Sequence, residues 1–154
     1  MDTSSDDQYR KAKGYALRLF KLRPRSTAEL AEKMRGKWYP PDIIERVISD
    51  MKAWGYLDDG AFTKAWLQGR LKRYGYRRIA LELVDKGIPK ELIASTWEEL
   101  KQDIDEESIV REIALRRDRV YRDVEPLKRR KRLMDYLARR GFNLSLINKV
   151  IREL

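Results

Sequence analysis

The chain has 154 residues, with 35 Lys and Arg against 25 Asp and Glu, giving a formal net charge of +10. It contains no Cys and no His, which excludes disulfides, thiol nucleophiles, Cys/His zinc sites and histidine general bases. Apolar residues make up 42% and charged residues 39%. This suits small or elongated cores, while four Trp and eight Tyr argue against disorder.

Residues 1–8 are polar and acidic, and read as a flexible tail without a secretory signal. From Tyr9 to Leu22, Ala12, Ala16, Leu19 and Phe20 recur at helical spacing. Ser26-Thr27-Ala28-Glu29 has the form of a capping box. It opens a second helix with Leu30 and Met34 on its apolar face. Lys37 puts a cation at the negative end of that helix, and Trp38 and Tyr39 follow. Pro40 then starts a third helix, whose apolar stripe is Ile43, Ile44, Val47, Ile48 and Met51.

The pattern repeats twice. Asp59 to Arg73 carries Phe62, Ala65 and Trp66, with Asp58-Asp59 read as an N-cap. Ile79 and Leu83 mark the next helix, Lys86 and Gly87 end it, and Pro89 leads into Leu92, Ile93, Thr96, Trp97 and Leu100. In the third unit, Asp105 to Val120 carries Ile109, Ile113 and Ala114. Leu133 and Leu137 follow, closed by Arg140, Gly141 and Phe142. Asn143 then caps a helix bearing Leu146, Ile147, Val150, Ile151 and Leu154.

Residues 29–51, 78–100 and 132–154 align without a gap. Gly87 and Gly141 occupy the place where a left-handed residue stops a helix. Trp38 stands there in the first unit and leaves that turn's geometry open. No sustained period-two alternation marks a strand. The expected fold is all-α: three tandem three-helix repeats, helix-turn-helix-like units over 9–57, 58–101 and 102–154, forming an elongated, curved rod. No apolar run is long enough to span a membrane, and a cytoplasmic location is the economical reading.

The charge is clustered. Lys64, Arg70, Lys72, Arg73, Arg77 and Arg78 share a window without an acid, interleaved with Tyr74 and Tyr76. The third unit carries Arg116, Arg117, Arg119 and Arg122, the run Lys128 to Arg132, then Arg139 and Arg140. On its wheel Lys128, Arg132 and Arg139 point away from the core. Arg10, Lys11, Lys13, Arg18, Lys21, Arg23 and Arg25 form a further cluster. Such spacing suits a long polyanion bound in a salt-dependent way, set against the alternative of a merely well-solvated surface. Tyr74 and Tyr76 either close a core beside Gly75 or stack on unpaired bases.

The acidic segment from Glu98 to Glu107 has three readings: a solvated linker with a helix-start bonus, a contact for a basic patch, or a metal-dependent nuclease site around Asp103 and Glu106. No phosphate-binding glycine loop and no G-x-S-x-G elbow occurs. The expectation is a binding protein, not an enzyme, with no cofactor and no metal.

Gly55-Tyr56-Leu57-Asp58-Asp59, followed by Phe62, Ala65, Trp66 and Arg70, resembles the RecX family of bacterial recombination regulators. So do Gly75, Arg77-Arg78-Ile79, Glu82-Leu83 and Lys86-Gly87-Ile88. Arg23-Pro24-Arg25-Ser26 with Glu29-Leu30 and Lys33 fits that family's first unit. Leu137 with Arg139-Arg140-Gly141-Phe142 fits its third. Trp38 in a glycine column, and Tyr76 where a proline is common, depart from the pattern.

The resemblance implies a protein of tandem three-helix units that binds the RecA recombinase filament on single-stranded DNA and lowers its ATP hydrolysis and strand exchange. The candidate contact residues are Arg70, Lys72, Arg73, Arg77 and Arg78, with Lys128, Arg132 and Arg139, pairing with recombinase carboxylates or DNA phosphates. A monomer is expected. The alternative is a helix-turn-helix protein acting directly on bare duplex DNA.

Overall fold

Why each helix starts and stops can be read almost entirely from local chemistry. A computed structural model describes residues 3–154 and places nine α-helices among them: α1 (Thr3–Leu22), α2 (Thr27–Gly36), α3 (Pro41–Ala53), α4 (Asp59–Arg70), α5 (Tyr76–Asp85), α6 (Lys90–Leu100), α7 (Glu106–Val120), α8 (Pro126–Arg139) and α9 (Leu144–Arg152). Residues 1 and 2 of the expected tail lie outside the described residues. From Thr3 onward that segment is helical, with Asp6 reaching Arg46 at 3.8 Å. The Arg46 guanidinium in turn sits 3.8 Å from the Tyr9 ring.

The capping box is present: Ser26 Oγ accepts from the Glu29 amide at 3.1 Å, and Glu29 Oε1 accepts from the Ser26 amide at the same distance. Asp58, Asp105 and Asn143 cap α4, α7 and α9 through their side chains. Helix α4 stops at Arg70, three residues short of the sequence expectation. There the chain turns through residues 71–74 to reach Gly75, the N-cap of α5.

Each unit has its own core. Leu30, Met34, Val47 and Met51 fill the first, Leu67, Ile79 and Leu83 the second, and Val110, Leu133, Leu137 and Ile147 the third. Burying such a side chain contributes about 1.5–3 kcal/mol. Leu154, expected in the third stripe, is 46% exposed because α9 has already ended at Arg152. The chain exposes 10368 Å². That exceeds the roughly 8,200 Å² of a compact monomer of this mass, as three small cores in series require.

The units meet through helix ends. Ser26 Oγ, besides capping α2, donates to the Lys86 carbonyl at the end of α5 at 2.6 Å. The Gly75 amide at the start of α5 donates to the Arg140 carbonyl at the end of α8 at 2.7 Å. The second helices of the three units therefore follow one another tail to head. The negative end of each macrodipole faces the positive end of the next.

This junction explains the glycine column. Trp38, Gly87 and Gly141 all take positive φ, at 65°, 79° and 91°. All three turns close alike, with Tyr39, Ile88 and Phe142 donating back to the carbonyls of Met34, Leu83 and Leu137. The Trp38 turn thus matches the glycine turns. Glycine is demanded at the other two places by the neighbouring unit. A Cβ at Gly87 would lie 2.2 Å from Ala28 Cβ, and one at Gly141 would lie 2.5 Å from the Arg78 nitrogen. Among the described residues no unit docks on the end of α2, and Trp38 projects into solvent, 91% exposed.

Candidate nucleic-acid interface

The turn after α4 delivers the second unit's basic residues to the junction with the third. Leu71 is buried and its amide still bonds to the Leu67 carbonyl at 3.0 Å, which ties the turn down. Lys72 and Arg73 then stand exposed on its outer side. Tyr74 is half-buried, and the guanidinium carbons of Arg70, Arg78 and Arg140 lie 4.6, 4.3 and 5.0 Å from its ring. Each such contact contributes about 0.5–1 kcal/mol at a partly exposed site.

Arg140 reaches back across the junction, donating to the Arg73 carbonyl at 2.9 Å. It also shares the Tyr136 ring with Arg117. Between the two units lies a cleft of about 470 Å³ whose cations are Lys72, Arg73, Arg116, Arg117 and Arg140, floored by Tyr74 and Tyr136. Among the described residues no carboxylate lines it, although Arg116 is bonded from outside the lining by Glu112 of its own helix. Arg116, Arg117 and Arg140 were not singled out as contact residues from sequence. Their distance along the chain from Lys72 hides the cluster, although the arginine runs themselves were visible.

The other candidates are distributed differently. Arg70 donates to Glu82 at 2.8 Å, which binds α4 to α5, so it is committed to the fold. Arg78 lies 3.8 Å from the same carboxylate and is exposed. Arg77 faces the opposite side of the junction, in a second cleft with Tyr76, Trp97 and Glu106. Lys128, Arg132 and Arg139 are exposed along one stripe of α8 that ends at the junction. Lys64 is exposed on α4, away from the cleft lining.

Tyr76 stacks on Trp97 with ring centroids 4.8 Å apart, and burial, with Glu98 nearby, raises its phenol above the usual range. It serves the core of its unit. In the acidic segment, Asp105 caps α7, held below the ordinary carboxylate range by hydrogen bonds from the Ser108 hydroxyl and amide. Glu107 binds Arg111 and Lys149 of its own unit. Glu98 binds Lys101 at 2.8 Å. Among the described residues no group of acids is arranged to hold a metal ion.

Three small helical cores, joined tail to head and flanked by an arginine-lined cleft, define a helical-repeat protein of the kind that binds through an extended surface. Models of the first, second and third three-helix domains of RecX match residues 12–51, 58–96 and 105–151. The chain belongs to the RecX family.

It is 34% identical over 149 residues to the regulatory protein RecX of Streptomyces coelicolor, covering 96% of this chain and 79% of that one. It is 35% identical over 146 residues to that of Mycolicibacterium smegmatis, covering 91% and 77%. The crystal structure of RecX from Lactobacillus salivarius superposes with a TM-score of 0.86 at 18% identity, covering 97% of each chain. A further RecX crystal structure gives 0.86 at 19% identity, covering 100% of this chain and 80% of that one. At such identity these two likenesses show the fold. The relatives' names make this a family of regulatory proteins. No described helix is long and apolar enough to cross a membrane.

Proposed function

We propose that this chain regulates recombination by binding the RecA filament on single-stranded DNA and lowering its ATP hydrolysis and strand exchange. It acts as a cytoplasmic monomer, by contact, without a cofactor and without catalysing a reaction. The observation that carries the reading is the acid-free cleft between units two and three. Five cations converge there in a chain of net charge +10. The contact surface combines Lys72, Arg73 and Arg78 with Arg116, Arg117 and Arg140, continuing along Lys128, Arg132 and Arg139, while Arg77 stands apart from it in the second cleft. Arg70 holds this surface in place through Glu82. Binding through it releases counterions and weakens steeply with salt.

Direct action on duplex DNA is the second reading, and the helix starts speak against it. The N-terminal ends of α2 and α5 are covered by the Lys86 and Arg140 carbonyls of neighbouring units. Helices α3 and α6 carry Asp42 and Glu91 in their first turns, which repel phosphate, though Lys90 opens α6 and α9 has no acid there.

The test is RecA ATP hydrolysis on single-stranded DNA, titrated with wild-type protein and with Lys72→Glu/Arg73→Glu/Arg116→Glu, three exposed positions. Inhibition by the wild type, strongly weakened in the variant, is expected. Absence of inhibition, with tight binding to bare duplex, would reverse the order of the two readings.

A further inference from the structure

Away from the basic cleft, a mostly apolar groove of about 450 Å³ runs between the first and second units. Pro24, Tyr56, Ala61, Phe62, Ala65 and Trp66 form its apolar walls, and Asp58, the N-cap of α4, is its one carboxylate among the described residues. These come from three segments, the α1–α2 connection, the α3–α4 connection and the exposed side of α4, and several of them are residues on which the family resemblance rests. Ala61 and Ala65 are exposed toward solvent on α4, so the groove is open rather than part of the core. Trp66 is held in position by its indole N–H, which donates to Glu82 at 2.9 Å.

Arg25 also lines the groove and is only 7% exposed. Its buried Nε–H has no hydrogen-bond acceptor among the described residues. The carboxylates of the flanking segments bond to other donors. Asp58 accepts from the Ala61 amide at 3.0 Å, Asp59 from the Thr27 amide at 2.8 Å, and Glu29 from Arg23 at 2.6 Å. Buried arginines in folded proteins are held by a paired carboxylate, because an unpaired buried charge destabilises the fold that carries it. Arg25 breaks that pattern at the wall of an open apolar groove.

We infer that this groove is a docking site for an acidic peptide segment of a protein partner, one in which a carboxylate stands beside a large apolar side chain. The apolar side chain fills the space between Phe62, Ala65 and Trp66, and the carboxylate accepts from the Arg25 guanidinium. The occupant is a peptide and not a nucleic-acid strand, because the groove is mostly apolar and Arg23, its other cation, is already paired with Glu29. A phosphate backbone needs a row of free cations, whereas a carboxylate next to an apolar residue needs one cation and an apolar wall.

The experiment uses the full chain and a fluorescein-labelled peptide that alternates aspartate with leucine and phenylalanine, followed by anisotropy. A nitrogen–proton correlation spectrum reads the Trp66 indole resonance, assigned with Trp66→Phe. The acidic peptide is expected to bind saturably and to shift that resonance, and a lysine-for-aspartate peptide is not. Arg25→Met lowers the affinity about tenfold or more, as loss of a charge-assisted hydrogen bond requires. Helix content and melting temperature stay equal or rise, since an unpaired buried charge has been removed. Ala65→Glu, at an exposed helical position, occupies the groove and abolishes binding with the fold intact.

Failure of the acidic peptide to saturate, binding undiminished in both variants, or displacement of the peptide by a single-stranded oligonucleotide that shifts the same resonance would each overturn the assignment. If Arg25→Met does not fold, Ala65→Glu alone decides. These readouts use neither recombinase nor its DNA filament, so they succeed or fail separately from the filament reading.

Discussion

Gly75→Ala adds one methyl group at the point where the second and third units meet. The added Cβ would lie 2.3 Å from the Gly141 carbonyl oxygen, 2.4 Å from its carbon and 2.6 Å from the Phe142 nitrogen. All three are backbone atoms and cannot rotate away. Gly75 itself has φ −81° and ψ 161°, a conformation alanine adopts without strain. The cost therefore falls on the junction. Restoring ordinary contact distances moves the units apart by on the order of 1 Å. That motion breaks the 2.7 Å bond from the residue-75 amide to the Arg140 carbonyl and stretches the 2.9 Å bond from Arg140 to the Arg73 carbonyl. Overpacking of about 1–3 kcal/mol, with about 0.5–1.5 kcal/mol for each of the two hydrogen bonds, gives about 2–6 kcal/mol when both are lost.

Gly69→Ala makes the same chemical change at an exposed position of α4 with nothing within 4 Å. It should stabilise by about 0.5–1 kcal/mol. Calorimetry and amide hydrogen exchange read both variants. Gly75→Ala should melt the third unit separately and earlier, with the residue-75 amide unprotected, because each unit has its own core. A wild-type melting profile with that amide still protected would refute the tail-to-head junction.

Trp38→Gly relieves a left-handed backbone at a side chain that packs on nothing, 91% exposed. Strain relief of about 1–2 kcal/mol, less about 0.5–1 kcal/mol of added chain entropy, should raise the melting temperature by a few degrees. An unchanged or lowered midpoint would show that the turn is unstrained. Ser26→Ala removes the α2 cap and the donor to the Lys86 carbonyl, both inside the junction. It should cost about 1–3 kcal/mol in urea denaturation, against about 1 kcal/mol for Asn143→Ala at the exposed cap of α9; equal losses would contradict a junction role.

Burial raises the Glu106 carboxyl above its ordinary range, with Lys101 opposing. The folded chain thus holds that proton more tightly than the unfolded chain. Stability from this group is present below the unfolded carboxyl range and is lost as pH rises through the raised value. Glu106→Gln should therefore increase stability modestly at neutral pH and not at low pH, as urea midpoints across a pH series would report.

Legibility in the sequence followed the range of the interaction. Helix faces, the capping box at Ser26 and Glu29, and the Asp58 and Asn143 caps all rest on residues within a few positions of one another, so spacing alone declared them, and their recurrence declared the repeat. The helical start at Thr3 lies beyond the apolar periodicity that marked the first helix, and the contacts Arg46 makes there with Asp6 and Tyr9 come from forty residues away. The premature end of α4 was missed for a related reason: Gly75 must reach Arg140 of the next unit. The arginine runs were visible, but which of them share a cleft was not.

What the sequence determined by itself is therefore the run of helices among the described residues, their grouping in threes and the excess of positive charge, since backbone capping and apolar periodicity are local properties. The tertiary structure alone decided the rest. It committed Arg70 to Glu82, sent Arg77 to the far side of the junction and gathered Lys72, Arg73, Arg116, Arg117 and Arg140 into one acid-free cleft. It also left Arg25 without a partner in an apolar groove. Charge has meaning only relative to its neighbours in space, and those neighbours are chosen when one unit's helix end docks on the next.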